Sequence, residues 1–200
     1  MTRANQKART RRDLVEAAGQ LLSNGRTPTV AEVADAADVS RRTAYRYFPS
    51  AEQLVTEALL EGMRSDVEQQ IDAGEPGEDI ETRVNRLVLA MHHLTVDKEH
   101  LLRQMIRLTI DRGPHATAPT RPSRRIEYVD RALAPLRAKL TPSQYERLVH
   151  AMAIAVGIEA RIVLRDIAGL DDEHILETEQ WAAQALLAAA VAEIRPHRRR

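Results

Sequence analysis

Residues 29–50 read TVAEVADAADVSRRTAYRYFPS, and this stretch decides the fold. Thr29-x-x-Glu32 is a capping box, in which the threonine hydroxyl and the glutamate carboxylate satisfy backbone donors at a helix start. It predicts a short helix through about Ala37. Asp38, Val39 and Ser40 make a tight turn, and a second short helix runs from about Arg41 to Tyr47 before Pro49 stops it. Ser50-x-x-Gln53 is a further capping box. A helix–turn–helix needs a second helix that is short, exposed on one face and rich in groups that reach phosphates and base edges. Ala44 and Phe48 are four apart and turn inward, toward Val33, Val39 and Leu54. Arg41, Arg42, Thr43, Tyr45 and Arg46 are left outside. Arginine grips guanine O6 and N7 with two parallel N–H groups. Thr43 donates to a phosphate or rests its methyl on thymine, and the phenols of Tyr45 and Tyr47 donate to backbone oxygens. The candidate DNA-binding set is Thr29, Ser40, Arg41, Arg42, Thr43, Tyr45, Arg46 and Tyr47.

Outward from this core the chain is helical in both directions. Leu14, Ala18, Leu21 and Leu22 follow amphipathic spacing over about 6–23, and Gly25 suits a left-handed helix end. Downstream, helices are expected over about 50–71, from Ile80 past Met91, and over 97–111. Others are expected over 126–140, 141–168 and about 172–194. Residues 72–79 form a Gly/Pro linker, and 113–122 a loop with three prolines. No alternating strand pattern occurs. The expectation is an all-α fold of about nine helices, with a DNA-binding domain at 1–50 and a helical effector-binding and dimerisation domain at 51–195. Residues 196–200 are expected to be a disordered tail.

The chain has 200 residues, 44% of them apolar and 29% charged, which suits a folded soluble protein. It has no cysteine, which excludes disulfides, thiolate zinc sites and iron–sulfur clusters. No apolar run reaches the ~18 residues that span a bilayer, so no membrane partner is expected. Met1–Arg12 lacks the apolar segment of a secretory leader, so a cytoplasmic location is expected. The net charge of zero hides an asymmetry. Residues 1–50 carry nine basic against five acidic side chains, residues 51–194 carry 16 against 24, and four arginines follow. A basic head on an acidic body suits a local polyanion contact. The basic residues Arg3, Lys7, Arg9, Arg11 and Arg12 read either as an arm along phosphates or as a solvated end.

Residues 29–50 resemble the DNA-binding domain of TetR-family transcriptional regulators, most specifically in Thr43-x-Tyr45-x-Tyr47-Phe48-Pro49-Ser50. The similarity spans roughly residues 9–59, and beyond it only helix count and order correspond. The resemblance implies a homodimeric repressor that binds a palindromic operator in double-stranded DNA and leaves it when a small molecule binds the C-terminal domain. The fourth helix would couple the domains. A transcriptional activator, or a regulator controlled by a protein partner, is the alternative on the same fold. The family commonly has glycine where Asp38 stands, a larger aliphatic at Ala44 and a lysine at Ala51. Arg42 occupies a position that is often small, which points to base reading.

The last two long helices carry small residues: Ala153, Gly157 and Ala160 on the first, and Ala182, Ala185 and Ala189 on the second, beside Trp181 and Leu186. Such stripes allow close helix approach, either across a two-fold axis or within one chain. An effector pocket among the middle helices has Met91, Met105, Tyr128 and Met152 as candidate wall and His92 and Glu159 as polar contacts. Ordinary core packing competes for each methionine. Glu159 lies on an apolar stripe and needs a partner, an arginine or a ligand. Few aromatics lie outside the DNA-binding domain, which favours an aliphatic or acyl-like effector over a flat cationic one.

No phosphate loop, dinucleotide fingerprint, nucleophile elbow or H-E-x-x-H motif is present. His92 and His93 point about 100° apart on a helix, which ill suits one metal ion. Neither cofactor nor metal is expected. A helical-bundle enzyme is the distant alternative.

Overall fold

The computed structural model describes residues 3–62, 64–75, 77–110 and 124–194. The expected tail at 196–200 and the loop at 113–122 lie outside them. The described residues form helices and no strand. Helix α1 spans Arg3–Ser23, and Gly25, at φ 73°, closes it. There Gly25 N–H donates to Leu22 O at 2.9 Å and Arg26 N–H to Leu21 O at 3.2 Å. Because α1 begins at Arg3, Lys7, Arg9, Arg11 and Arg12 stand on a helix rather than on an extended arm.

The capping box at Thr29 forms as the spacing predicts. Glu32 N–H donates to Thr29 Oγ1, and Thr29 N–H donates to Glu32 Oε2 at 2.8 Å. This starts α2, Val30–Ala36. Helix α3 is Arg41–Tyr47, with Ser40 as its cap. Helices α4 (Ala51–Gly62) and α5 (Arg64–Asp72) flank Met63, followed by α6 (Ile80–Asp97) and α7 (Glu99–Ile110). Helix α8 (Arg124–Leu133) ends in a 3-10 turn, Ala134–Leu136, short of the expected Leu140. Pro135 lacks the N–H that another α-turn needs.

A second departure matters more. The helix expected over 141–168 is two helices, α9 (Pro142–Ala155) and α10 (Ile158–Ile162), the latter running on as a π-helical turn, Val163–Ile167. Between them Val156 is extended and Gly157 takes φ 101°. Helix α11, Asp172–Ile194, is the last. Among the described residues the division added to the expected order falls at Gly157; α4 and α5 are separated only by residue 63, which lies outside them.

The chain divides into two compact units, residues 1–65 with 103–111, and residues 66–102 with 112–200. The core of the first contains Leu14, Val33, Ala44, Phe48 and Leu54, all fully buried, and Val39 packs against it. Leu54 and Ala58 belong to this core, so the first unit reaches past residue 50 and includes α4. The core of the second gathers apolar faces of α6, α8, α9 and α11 around Leu87, Val129, Leu133 and Met152.

Candidate functional site

Helix α3 has two faces of opposite character. Ala44 and Phe48 are fully buried, and removing a Phe side chain from water stabilises by about 1.5–3 kcal/mol. Arg41, Arg42, Tyr45 and Arg46 are exposed, and Thr43 and Tyr47 are half-buried. Ser40 Oγ accepts from Thr43 N–H at 3.3 Å and donates to Thr43 Oγ1 at 2.9 Å, which holds the first turn. The Arg46 guanidinium lies 5.4 Å from the Tyr47 ring centroid. Among the described residues Arg42 has neither a hydrogen-bond nor an ion-pair partner, so its whole fork is available. Thr29, by contrast, spends its hydroxyl on Glu32, accepting from the backbone and donating to the carboxylate at 2.9 Å.

Arg41 is engaged too. Its Nε donates to Asp35 Oδ1 at 3.3 Å and its Nη2 to Asp35 Oδ2 at 2.8 Å. The hydrogen bond from Arg41 holds the Asp35 carboxyl below the usual range, and the same bond raises Arg41. Sequence reading missed Asp35 because its partner lies across the turn rather than one helical turn away. Asp38, within that turn, has φ 52°, the left-handed conformation that glycine takes most easily.

Arg11 is engaged within the first unit. Its Nη2 donates to Glu57 Oε2 at 2.6 Å, its Nη1 donates to Oε1 of the same carboxylate, and its guanidinium lies 4.7 Å from the Phe48 ring centroid. It ties α1 to α4 and to the end of the outward-reading helix. Lys7, Arg9 and Arg12 stay exposed on α1.

Residues 14–58 match the family profile of bacterial regulatory proteins of the tetR family. This segment is a tetR-family helix–turn–helix domain. No protein of curated function matches the chain in sequence. A solved structure described as a SmeT–triclosan complex is 17% identical over 90% of each chain, with a TM-score of 0.40. One described as a tetR family transcription regulator from Shewanella sp. PV-4 is 18% identical over 92% of this chain and 95% of that one, with a TM-score of 0.36. Overlaps this loose place no residue.

In the second unit, outside the segment that matches the family, Met91, Tyr128 and Met152 lie inside the core, each under 5% exposed. Met105 falls in the first unit. Glu159 pairs with the Arg125 guanidinium, which also donates through Nη1 to the carbonyls of Ala153 at 3.0 Å and Val156 at 3.2 Å. Arg125 thus serves the carbonyls that the break at Gly157 leaves without helical partners. His92 is buried, with Nδ1 3.1 Å from Glu179 Oε2. Near this pair Arg161, 2% exposed, donates from Nε to Glu99 at 2.8 Å and from Nη2 to Asp172 at 2.5 Å. No local spacing marks this cluster, because its members are scattered from residue 92 to residue 179.

The candidate dimer residues also divide. Ala153 and Gly157 are buried within the unit, and the positive φ at Gly157 takes it off a continuous helical face shared with Ala160. Trp181, Ala185 and Ala189 are exposed on α11, with Ala182 and Leu186 half-buried. The part of α9 that faces out beside them is Ala151, Ile154 and Ala155, and these line one shallow apolar depression with Trp181, Ala182, Ala185 and Leu186. Among the described residues no group of three or more His, Asp or Glu is placed to hold a metal ion, and no helix is long and apolar enough to cross a membrane.

Proposed function

We propose that the protein is a homodimeric transcriptional repressor that binds a palindromic operator and is released by a small-molecule effector. One observation carries the reading: a seven-residue helix, fully buried on one side, holds three arginines and two tyrosines outward or at its margin within a tetR-family domain. Ser40, Arg41, Arg42, Thr43, Tyr45, Arg46 and Tyr47 contact the operator, with Thr29 at the head of α2. Arg42 reads a base, because its donors are uncommitted, and Tyr47 holds phosphate. Two-fold symmetry places the two copies of α3 in successive major grooves, about 34–36 Å apart or a multiple of that.

Dimerisation uses the outer face of α11 around Trp181, Ala182, Ala185, Leu186 and Ala189, joined by Ile154 of α9. The exposure of Trp181 and Ile154, at 74% and 76%, supports this face. The effector enters the second unit and is aliphatic or acyl-like, since rings are scarce there. The protein acts in the cytoplasm and needs no cofactor.

The test is selection of bound fragments from the source genome by purified protein at physiological salt, where nonspecific phosphate binding is held down. One enriched imperfect palindrome is the expected result. Loss of the protein should raise transcription from the enriched promoter; a fall makes it an activator, and no enrichment by folded protein sinks the reading.

A further inference from the structure

The turn between α2 and α3 is fixed by backbone bonds: Ala37 N–H donates to Val33 O and Val39 N–H to Ala34 O, both at 2.9 Å. This sets Asp35, in the last turn of α2, against Arg41, the first residue of α3. Asp35 takes one edge of the Arg41 guanidinium, the Nε–H and one Nη2–H, in the two-point geometry of an arginine–carboxylate pair. A guanidinium has five N–H groups. Three remain, and two of them, one on each Nη, point the same way from the end of the fork. That end edge matches guanine O6 and N7 in the major groove.

We propose that Asp35 is a specificity-positioning residue that holds Arg41 edge-on, so that Arg41 offers its end fork to one guanine in each half-site. The proposal rests on the DNA-binding reading above and adds a residue outside the recognition helix.

Untied, an arginine at the head of α3 has several rotatable bonds and binds whichever phosphate oxygen is nearest. Tied, it has already lost that freedom, and the ordering cost is met before DNA arrives. The Asp35 carboxylate also repels phosphates, which makes docking that brings Arg41 to the backbone costly. A guanine presents two acceptors at the end fork and tolerates the carboxylate behind it. The pair therefore separates correct from incorrect sites in two ways. It sharpens the guanine contact and weakens contact with unrelated DNA. Screening in bulk water limits what an exposed pair contributes, but the groove excludes much of that water.

The experiment measures binding of full-length wild type, Asp35→Asn, Asp35→Ala, Arg41→Ala, Arg41→Lys and Asp35→Ala/Arg41→Ala. The probes are the selected operator, the operator changed singly at each base pair, and an unrelated duplex, over a salt series. Both positions lie on the surface, and a thermal melt of each of the five variants confirms folding. Wild type should favour a G·C pair at one position per half-site by about tenfold or more. Arg41→Ala should erase that preference, and Arg41→Lys, which keeps the charge but not the fork, should nearly erase it. Both Asp35 variants should cut it to about two- to threefold while binding the unrelated duplex more tightly. Removing Asp35 in the Arg41→Ala background should leave preference unchanged.

Two results overturn the proposal. One is an Asp35 effect that shifts all sequences equally; the other is an effect on preference that persists without Arg41. If wild type selects no sequence at all, the DNA-binding reading itself fails, a different outcome from a sequence-specific protein that is indifferent to Asp35.

Discussion

His92 Nδ1 lies 3.1 Å from Glu179 Oε2 inside the second unit, and both side chains are at least nine-tenths buried. Burial pushes the Glu179 carboxyl up to about 7 and, with Arg161 beside it, pushes the His92 imidazole down. Arg161 and its neighbour Arg165 are paired with Glu99 and Asp172, and the opposite shifts favour one shared proton, on Glu179 beside a neutral His92, below about pH 7.

The pH dependence follows from the two directions. Glu179 holds, when folded, a proton that the unfolded chain releases above about 4.5, so its contribution to stability falls as pH rises toward 7. His92 stays neutral when folded while the unfolded chain takes a proton below about 6.5, so its contribution falls as pH drops. Between pH 5 and 6.5 the two slopes oppose and largely cancel. Each single variant should expose the other slope, relative to wild type. His92→Gln should lose stability from pH 5 to 7, and Glu179→Gln should lose it from pH 7 to 5, each by at most about 1.4 kcal/mol per pH unit. Denaturation midpoints at several pH values check this; parallel curves for both variants would refute the shared proton.

Arg11→Ala should destabilise the first unit by about 2 kcal/mol, because it removes two charge-assisted bonds to the largely buried Glu57 and a stack on Phe48. Arg11→Lys should recover less than half of this, since a point charge cannot hold both carboxylate oxygens and the ring. Chemical denaturation of the two variants against wild type decides the matter. Equal stability of all three would place Arg11 on the surface in function as well as in sequence.

What could be read from sequence and what could not divide along the range of the interactions. The capping box at Thr29 forms as read, because it needs only residues three apart. The same locality explains why α3 has the expected bounds. The break at Gly157 was not legible. A single glycine is tolerated inside a helical pattern, and the arginine that accommodates this one, Arg125, is 32 positions away. The Asp35–Arg41 pair sits six residues apart across a turn, a spacing that no single-helix rule inspects. On α11 the periodicity selects Trp181, Ala182, Ala185, Leu186 and Ala189, which the structure leaves exposed or half-buried. On α9 it selected Ala153, which faces the core, rather than Ile154, because α9 is packed on two sides by α8 and α11.

At Gly157 two penalties add. Its φ of 101° suits glycine, and a Cβ there would stand 3.2 Å from Arg125 Cδ and Nη1. Gly157→Ala should cost about 2 kcal/mol. Arg125→Ala should also destabilise, by leaving the Ala153 and Val156 carbonyls without its donor. The double variant should cost less than the sum, since the steric part vanishes while the backbone part remains. Strict additivity, measured by denaturation, would mean that Arg125 does not crowd the site.

Asp38 offers the opposite case. At φ 52° it tolerates a conformation that most side chains resist, and no bulky replacement is expected to do so. Asp38→Val should lower stability by about 1–2 kcal/mol, whereas Asp38→Gly should stay within about 0.5 kcal/mol of wild type, strain relief being offset by chain entropy. Thermal melts of the two variants give the answer, and a valine that is tolerated as well as glycine would show that the turn readily takes another conformation.

Trp181 and Ile154 give the last test, of how two reading heads act as one. Each is about three-quarters exposed, and they border the same apolar depression, an arrangement that a monomer in water does not favour. Trp181→Glu places a carboxylate in that face without touching α3. Sedimentation should show a dimer for wild type and a monomer for the variant at micromolar concentration. Operator affinity should then fall by about 100-fold or more, because the second half-site loses its effective concentration. The slope of log affinity against log salt should roughly halve, since only half as many phosphates are contacted at once. Preference at the guanine of a single half-site should survive, because it is set within one protomer. A variant that stays dimeric would move the interface off this face. A variant that is monomeric and loses the half-site preference as well would show that the reading helix depends on the partner for its conformation.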